Sequence, residues 1–320
     1  MKKLAFLLVL IGLCVWPVGL RAQSAALMEA YQQGEALYQA RRYDEALPFW
    51  KKALELGLRE YGPEHPSAAN LLNNLALLYQ AQGRYAEAEP IYERALAVRE
   101  KALGAEHPDV AASLNNLALL YQDQGRYAAA EPIYKRSLAI REKALGAEHP
   151  DVATSLNNLA ALYQAQGRYA EAEPLFERSL AVREKALGAE HPDVAQSLNN
   201  LAVLYRLQGR YAEAEPLYKR SLALDEKALG AEPPGMATDL NDLALLYQSQ
   251  GRYAEAEPLY KRALAIFEKV LGAEHPNVAV SLENYSGLLR ETGRGSEAVK
   301  LEARAKAIRA KRAKENPANR

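Results

Sequence analysis

Apolar side chains return along the chain at helical spacing, in the same order, every 42 residues. In one copy Leu156, Leu159, Ala160 and Tyr163 stand at i, i+3, i+4 and i+7, a single helical stripe, while Tyr169, Ala172, Phe176 and Leu180 supply another after Gly167. The pattern predicts two helices per copy. The first runs from Pro150, which suits the opening helical position, through Asp151 in the positive first turn to about Gln166, where Gly167 can take a left-handed stop. The second begins near Ala170 and ends before Gly188, with Pro174 read as close enough to its first turn for the missing N–H to cost little. Pro132, Pro216 and Pro258 hold the same place in other copies.

The punctuation repeats as strictly as the stripes. His-Pro recurs at His65, His107, His149, His191 and His275, and Gly-Arg-Tyr at Gly83, Gly125, Gly167, Gly209 and Gly251. A two-helix hairpin cannot bury both of its faces alone, so neighbouring copies must stack, and the expected fold is all-α, a right-handed superhelical solenoid.

Leu156-x-x-Leu159-Ala160-x-x-Tyr163, Gly167-x-Tyr169, Ala172 and Phe176 resemble the packing signature of the tetratricopeptide helix-turn-helix repeat. One departure is the next small residue, usually alanine in that family and kept at Ala95 and Ala263, but serine at Ser137, Ser179 and Ser221. The 42-residue period with "HPDVA", "LNNLA" and "QGRY" is similar to the repeats of kinesin light chains and their bacterial relatives, over residues 27–314. Seven units follow. The first is imperfect, at Gly34, Tyr43, Ala46, Trp50 and Ala53, with Leu37 where later units carry tyrosine. The last has Gly295 and Glu302 in place of aromatic residues, polar exchanges suited to a terminal cap.

Each central unit also carries adjacent asparagines, at Asn73/Asn74, Asn115/Asn116, Asn157/Asn158 and Asn199/Asn200. Asparagine costs up to about 0.7 kcal/mol against alanine inside a helix, so the pairs need a reason. A helical wheel turns Asn157, Ala161 and Gln164 onto the stripe beside the buried one, which in tetratricopeptide arrays lines the concave surface. Stacking would align Asn73, Asn115, Asn157, Asn199 and Asn241 into a ladder able to satisfy the backbone of an extended peptide. A second row holds Gln80, Gln122, Gln164 and Gln248, interrupted by Arg206 and Arg290, with the apolar column Leu77, Leu119, Ala161, Val203 and Leu245 between. The resemblance to kinesin light chains implies cargo-peptide contact at Asn115 and Asn157. Asn158 and its counterparts read as structural, bonding locally or to the adjacent hairpin, and Glu283 takes the column position in the last unit.

Composition narrows the function. Lys plus Arg and Asp plus Glu are 40 each, so no nucleic-acid partner is indicated. Lys2 and Lys3 precede an uncharged run from Leu4 to Leu20, with small Ala22 before a polar start, the pattern of a signal peptide over residues 1–22. Export, periplasmic or secreted, is expected, with an uncleaved membrane anchor as the alternative. Cleavage would leave residues 23–314 as the repeat array and a basic, polar tail over 315–320, and would remove Cys14, the only cysteine.

Catalytic signatures are sparse. The five histidines sit in separate units and act at helix starts rather than at one metal, and no phosphate loop, nucleophile elbow or zinc motif is present. The sequence therefore reads as a non-catalytic module without metal, cofactor or small-molecule substrate, binding a protein or peptide partner in its concave groove. The alternative is a scaffold assembling a complex through its end or convex surfaces.

Overall fold

The computed structural model describes residues 24–229 and 234–315, and every element among them is helical. The predicted leader, residues 1–22, and residues 316–320 of the predicted tail lie outside the described residues. The chain divides into two compact units, one ending at Ala147 and the other beginning at Glu148. The first holds α1 (Ala25–Gln39), α2 (Tyr43–Tyr61), α3 (Pro66–Ala81), α4 (Tyr85–Leu103), α5 (Pro108–Asp123) and α6 (Tyr127–Leu145). The second holds α7 (Pro150–Ala165), α8 (Tyr169–Leu187), α9 (Pro192–Leu207), α10 (Tyr211–Leu229), α11 (Pro234–Ser249), α12 (Tyr253–Leu271), α13 (Pro276–Glu291) and α14 (Gly295–Glu315). Within each unit consecutive helices pair as hairpins, and the second helix of one hairpin packs on the first helix of the next.

Local chemistry sets the boundaries. His65, His107, His149, His191 and His275 are the N-caps expected of them: each Nδ1 accepts the backbone N–H two residues on, at 3.1 Å, with proline at the first helical position. First helices end at glycines such as Gly167, whose φ of 74° is left-handed, and the following Arg168 N–H closes back onto the Tyr163 carbonyl at 2.9 Å. In the first hairpin Arg41 takes that position at φ 56° without being glycine. The prolines require a correction. Pro174 and its counterparts stand six residues into helices that open at the tyrosine of Gly-Arg-Tyr, beyond the naturally free donors, so each removes one intrahelical bond. The helix continues because Pro174 is exposed, where water can take the freed carbonyl.

Burial follows the predicted stripes. Leu156, Leu159, Ala160 and Tyr163 are buried with Ala172, Phe176 and Ser179, while Tyr169 and Leu180 are half-buried margins. The serines that depart from alanine gain a bond for their extra atom. Ser137, Ser179 and Ser221 each donate to a carbonyl of the partner helix, at Ala111, Ala153 and Ala195, all at 2.8 Å. In the first hairpin Trp50 fills the aromatic position. A Cβ on Gly34 would come within 2.0 Å of its ring, so the larger indole requires glycine where later units tolerate alanine. At the other end Ala305 and Ile308 of α14 close the last core, and its outer polar residues are paired: Arg290 with Glu302 at 2.6 Å, Arg309 with Glu283 at 2.6 Å.

The arginine of Gly-Arg-Tyr ties hairpins together. In Arg210, Arg252 and Arg294 the guanidinium reaches a glutamate 37 residues earlier (Glu173, Glu215, Glu257) at 2.7, 2.7 and 2.8 Å. Arg210 and Arg252 also lie over the rings of Tyr205 and Tyr247, at 4.1 and 4.0 Å. Arg126 repeats the arrangement in the first unit with Glu89 and Tyr121. The bond from Arg252 holds Glu215 down to about 2, and those from Lys261 and Arg294 hold Glu257 to about 2.

Replacing His149 by alanine removes the cap acceptor and is expected to lower stability by about 1 kcal/mol, whereas His149→Asn, which can accept the same N–H, restores most of it. Urea unfolding of the two variants checks this, and equal losses would show that the imidazole acts otherwise.

Candidate protein-binding face

The asparagine column sits on α3, α5, α7, α9 and α11, and its side chains are placed differently from an open ladder. Asn73, Asn115, Asn157, Asn199 and Asn241 are only 7–9% exposed. The expectation of carboxamides standing free to receive a peptide is corrected here, because much of their hydrogen-bonding capacity is spent between hairpins. Asn116 Nδ2 donates to Asn73 Oδ1 at 2.8 Å, and Asn200 Nδ2 to Asn157 Oδ1 at 2.7 Å, each across 43 residues. The first asparagine of one hairpin thus accepts from the second asparagine of the next.

The same register extends to residues that are not asparagine. Asn74 Nδ2 donates to the Tyr31 hydroxyl at 3.2 Å, an aromatic standing at the column position of the first hairpin. Where Asp242 replaces the second asparagine, the direction reverses and Asn199 Nδ2 donates to it at 3.3 Å. At Asn241 the ladder stops, with Oδ1 buried and unpartnered. The second asparagines therefore have the structural role expected of them. One buried amide bond is worth about 1 kcal/mol net, enough to offset the helix-propensity cost of about 0.7 kcal/mol.

A donor remains. The ladder bonds fix Oδ1 of Asn73 and Asn157, and no partner among the described residues takes the Nδ2 of either. Each lies one turn from an apolar column residue that is half-buried, Leu77 and Ala161. Val203 and Leu245 continue that column in the second unit, whereas Leu119 is buried.

The glutamine row is also engaged with the second helices. Tyr92, Tyr134 and Tyr260 donate to Oε1 of Gln80, Gln122 and Gln248 at 2.8, 3.2 and 2.7 Å, twelve residues apart in sequence. Gln80 and Gln248 donate in turn to Asp123 at 2.7 Å and Glu291 at 3.0 Å on the next hairpin. Gln164 is the exception: Phe176 stands where the tyrosine would be, and Gln164 Oε1 is buried without a partner. Arg206 lies in the field of Tyr218 and Asp242, and Arg290 is held outward by Glu302. Sequence reasoning missed Tyr31 and these tyrosine hydroxyls. The signal was a constant offset of 43 or 12 residues between polar columns, which a helical wheel of one helix does not display.

No group of three or more histidine, cysteine or acidic residues able to hold a metal occurs among the described residues. No described helix is long and apolar enough to cross a membrane.

Stacked helical hairpins with this polar register define an interaction repeat. The tetratricopeptide repeat profile matches residues 25–101, 67–143, 109–172, 151–227 and 236–311, and the chain belongs to that family. Among solved structures it is similar to a Podosopora anserina protein described as a kinesin light chain with nearly identical repeats, at 35% identity. That match covers 64% of this chain and 97% of the other, with a TM-score of 0.55. BtubC (BKLC) of P. vanneervenii is 25% identical over 79% of this chain and 93% of its own, TM-score 0.57. Aspartyl phosphate phosphatase F of Bacillus subtilis shares the fold, at 15% identity over 89% of this chain and 71% of its own, TM-score 0.68. None of the curated proteins matches the sequence. Tetratricopeptide arrays of this kind are modules of protein–protein interaction, typically without catalysis of their own.

Phe176→Tyr places a hydroxyl opposite the orphaned Gln164 Oε1 and is expected to stabilise the protein by about 1 kcal/mol. Denaturant midpoints of the two proteins check it; destabilisation would mean that the tyrosine–glutamine bonds do not define the register.

Proposed function

We propose that each unit of the protein binds an extended segment of a partner protein along the exposed edge of its own first helices, with Asn73 in the first unit and Asn157 in the second serving as oriented donors. The observation that carries this reading is the half-satisfied amide. With Oδ1 locked by the neighbouring hairpin, Asn73 and Asn157 each keep an Nδ2 whose two N–H donors are fixed in orientation and have no acceptor among the described residues. A peptide carbonyl is an acceptor of the right kind, and the half-buried apolar residues one turn on, Leu77, Ala161 and Val203, offer surface for side chains. Preorganised donors lose little rotamer freedom on binding, so even a few such bonds count toward affinity.

The asparagines differ in what they can offer. Asn199 spends Nδ2 on Asp239 and Asp242, and Asn241 keeps an unpartnered Oδ1, so Asn73 and Asn157 are the donors assigned to the partner. Gln80 and Gln248 are already committed on both atoms, and act as supports. Lys2, Lys3 and the uncharged run to Leu20 support a further part of the proposal, that the partner is met after export.

The test uses a peptide selected from a random displayed library against the protein lacking residues 1–22. Asn157→Asp keeps an acceptor for Asn200 but removes the free donor. It is expected to weaken that peptide about tenfold, the value of one hydrogen bond, with the melting temperature held within a few degrees. Unchanged affinity, or NMR shifts from the peptide confined to second helices such as α8 and α10, would overturn the reading in favour of a scaffold using its outer surface.

A further inference from the structure

One seam of the second unit breaks the repeat's polar code at several positions together. Where other repeats carry Arg99, Arg141 and Arg183, α10 carries Asp225; where they carry Ser113, Ser155, Ser197 and Ser281, α11 carries Asp239. In the ordinary arrangement the arginine crosses to the serine: Arg99 Nη1 donates to Ser113 Oγ at 2.5 Å, and Arg183 Nη1 to Ser197 Oγ at 2.9 Å. The exchange removes the cation and puts two acids in its place. Gly235 stands where three other repeats carry Asp109, Asp151 and Asp193, and a Cβ there would come within 3.1 Å of Asp225 Oδ2.

Asp239 is only 6% exposed, and its hydrogen-bond partners bear on its protonation state. Its Oδ1 accepts from Asn199 Nδ2 at 2.7 Å, and its Oδ2 contacts Ser221 Oγ. The Ser221 hydroxyl has a single hydrogen and two acceptors within reach, the Ala195 carbonyl at 2.8 Å and Asp239 Oδ2. A proton on Asp239 Oδ2 lets both contacts be hydrogen bonds at once, Asp239 donating to Ser221 and Ser221 to Ala195. We propose that Asp239 is a buried carboxylic acid whose ionisation loosens the packing of α11 against α9 and α10, which makes this seam a pH-sensitive joint of the second unit.

The surroundings favour the neutral form. Burial pushes the Asp239 carboxyl well up from its usual range, outweighing the hydrogen bonds from Ser221 and Asn199 that pull it down, and the charges of Asp225 on α10 and Asp242 on its own helix push it further up. Asp225 is itself raised by burial. Arg206 on α9 is the cation in this region, and it acts on Asp242, beside the hydroxyls of Tyr218 on α10 and Tyr260 on α12. Loss of the Asp239 proton leaves the one Ser221 hydrogen to be divided between the Ala195 carbonyl and the carboxylate, with negative charge added beside Asp225 and Asp242. A carboxyl raised in the folded state stabilises fully below its unfolded value of about 4, and that contribution disappears as pH rises through the folded value.

Asp239→Asn tests the assignment because its amide can donate to Ser221 while still accepting from Asn199, imitating the protonated acid at every pH. Opening of α10 and α11 is measured by amide hydrogen exchange on the full chain from pH 5 to 9. The ratio of opening constants, wild type over variant, is expected to rise by up to tenfold per pH unit until the folded value is passed, one proton being coupled to opening. A ratio that stays constant overturns the proposal. Should the asparagine variant fail to fold, Asp239→Ser, the residue of the other repeats, replaces it with the same expectation. Carbon-13 NMR of the Asp239 carboxyl decides independently: a protonated signal at pH 6 supports the assignment, and an ionised one at pH 5 defeats it.

Discussion

A helical hairpin of this sequence has two apolar faces and can cover only one from within, so each hairpin depends on its neighbour. Burial supplies the attraction but little register, since Leu, Ala and Tyr stripes would tolerate small slips. The polar ties supply the register. A donor reaches back 43 residues from the second asparagine to the first, and another 37 residues from arginine to glutamate. Both are short, oriented and partly shielded from water, so a displaced hairpin would leave buried polar atoms unpaired at about 1–3 kcal/mol each.

Those ties also explain the chemistry left on the candidate face. An amide used once for assembly has one end left, and the end left in Asn73 and Asn157 is the donor. In the proposed binding mode, assembly and recognition share one side chain. The same economy shows in the Gly-Arg-Tyr motif, where glycine turns the chain, arginine covers the preceding tyrosine ring and clamps the previous hairpin, and tyrosine opens the second helix.

Periodicity made the fold legible. Helix starts at His149 and Pro150, the stop at Gly167 and the buried Leu156, Ala160 and Phe176 could all be read from spacing, because each is fixed by one helix's own geometry. The site was half legible. A single-helix wheel places Asn157 beside the buried stripe correctly, yet exposure depends on the neighbouring hairpin, and Asn200 closes over it. Pro174 was misjudged for a simpler reason: the helix opens at Tyr169, which moves the proline past the first turn. Asp239 and Asp242 were passed over in the sequence, because their meaning depends on Ser221 and Asn199, which stand on neighbouring helices.

The direct test of hairpin registration by amide ties is a double-mutant cycle on Asn157 and Asn200, each changed to alanine singly and together, with unfolding free energies measured in urea. The tie predicts a coupling of about 1 kcal/mol, the second substitution costing much less once the first is made. Additive losses, with coupling within about 0.3 kcal/mol of zero, would contradict it.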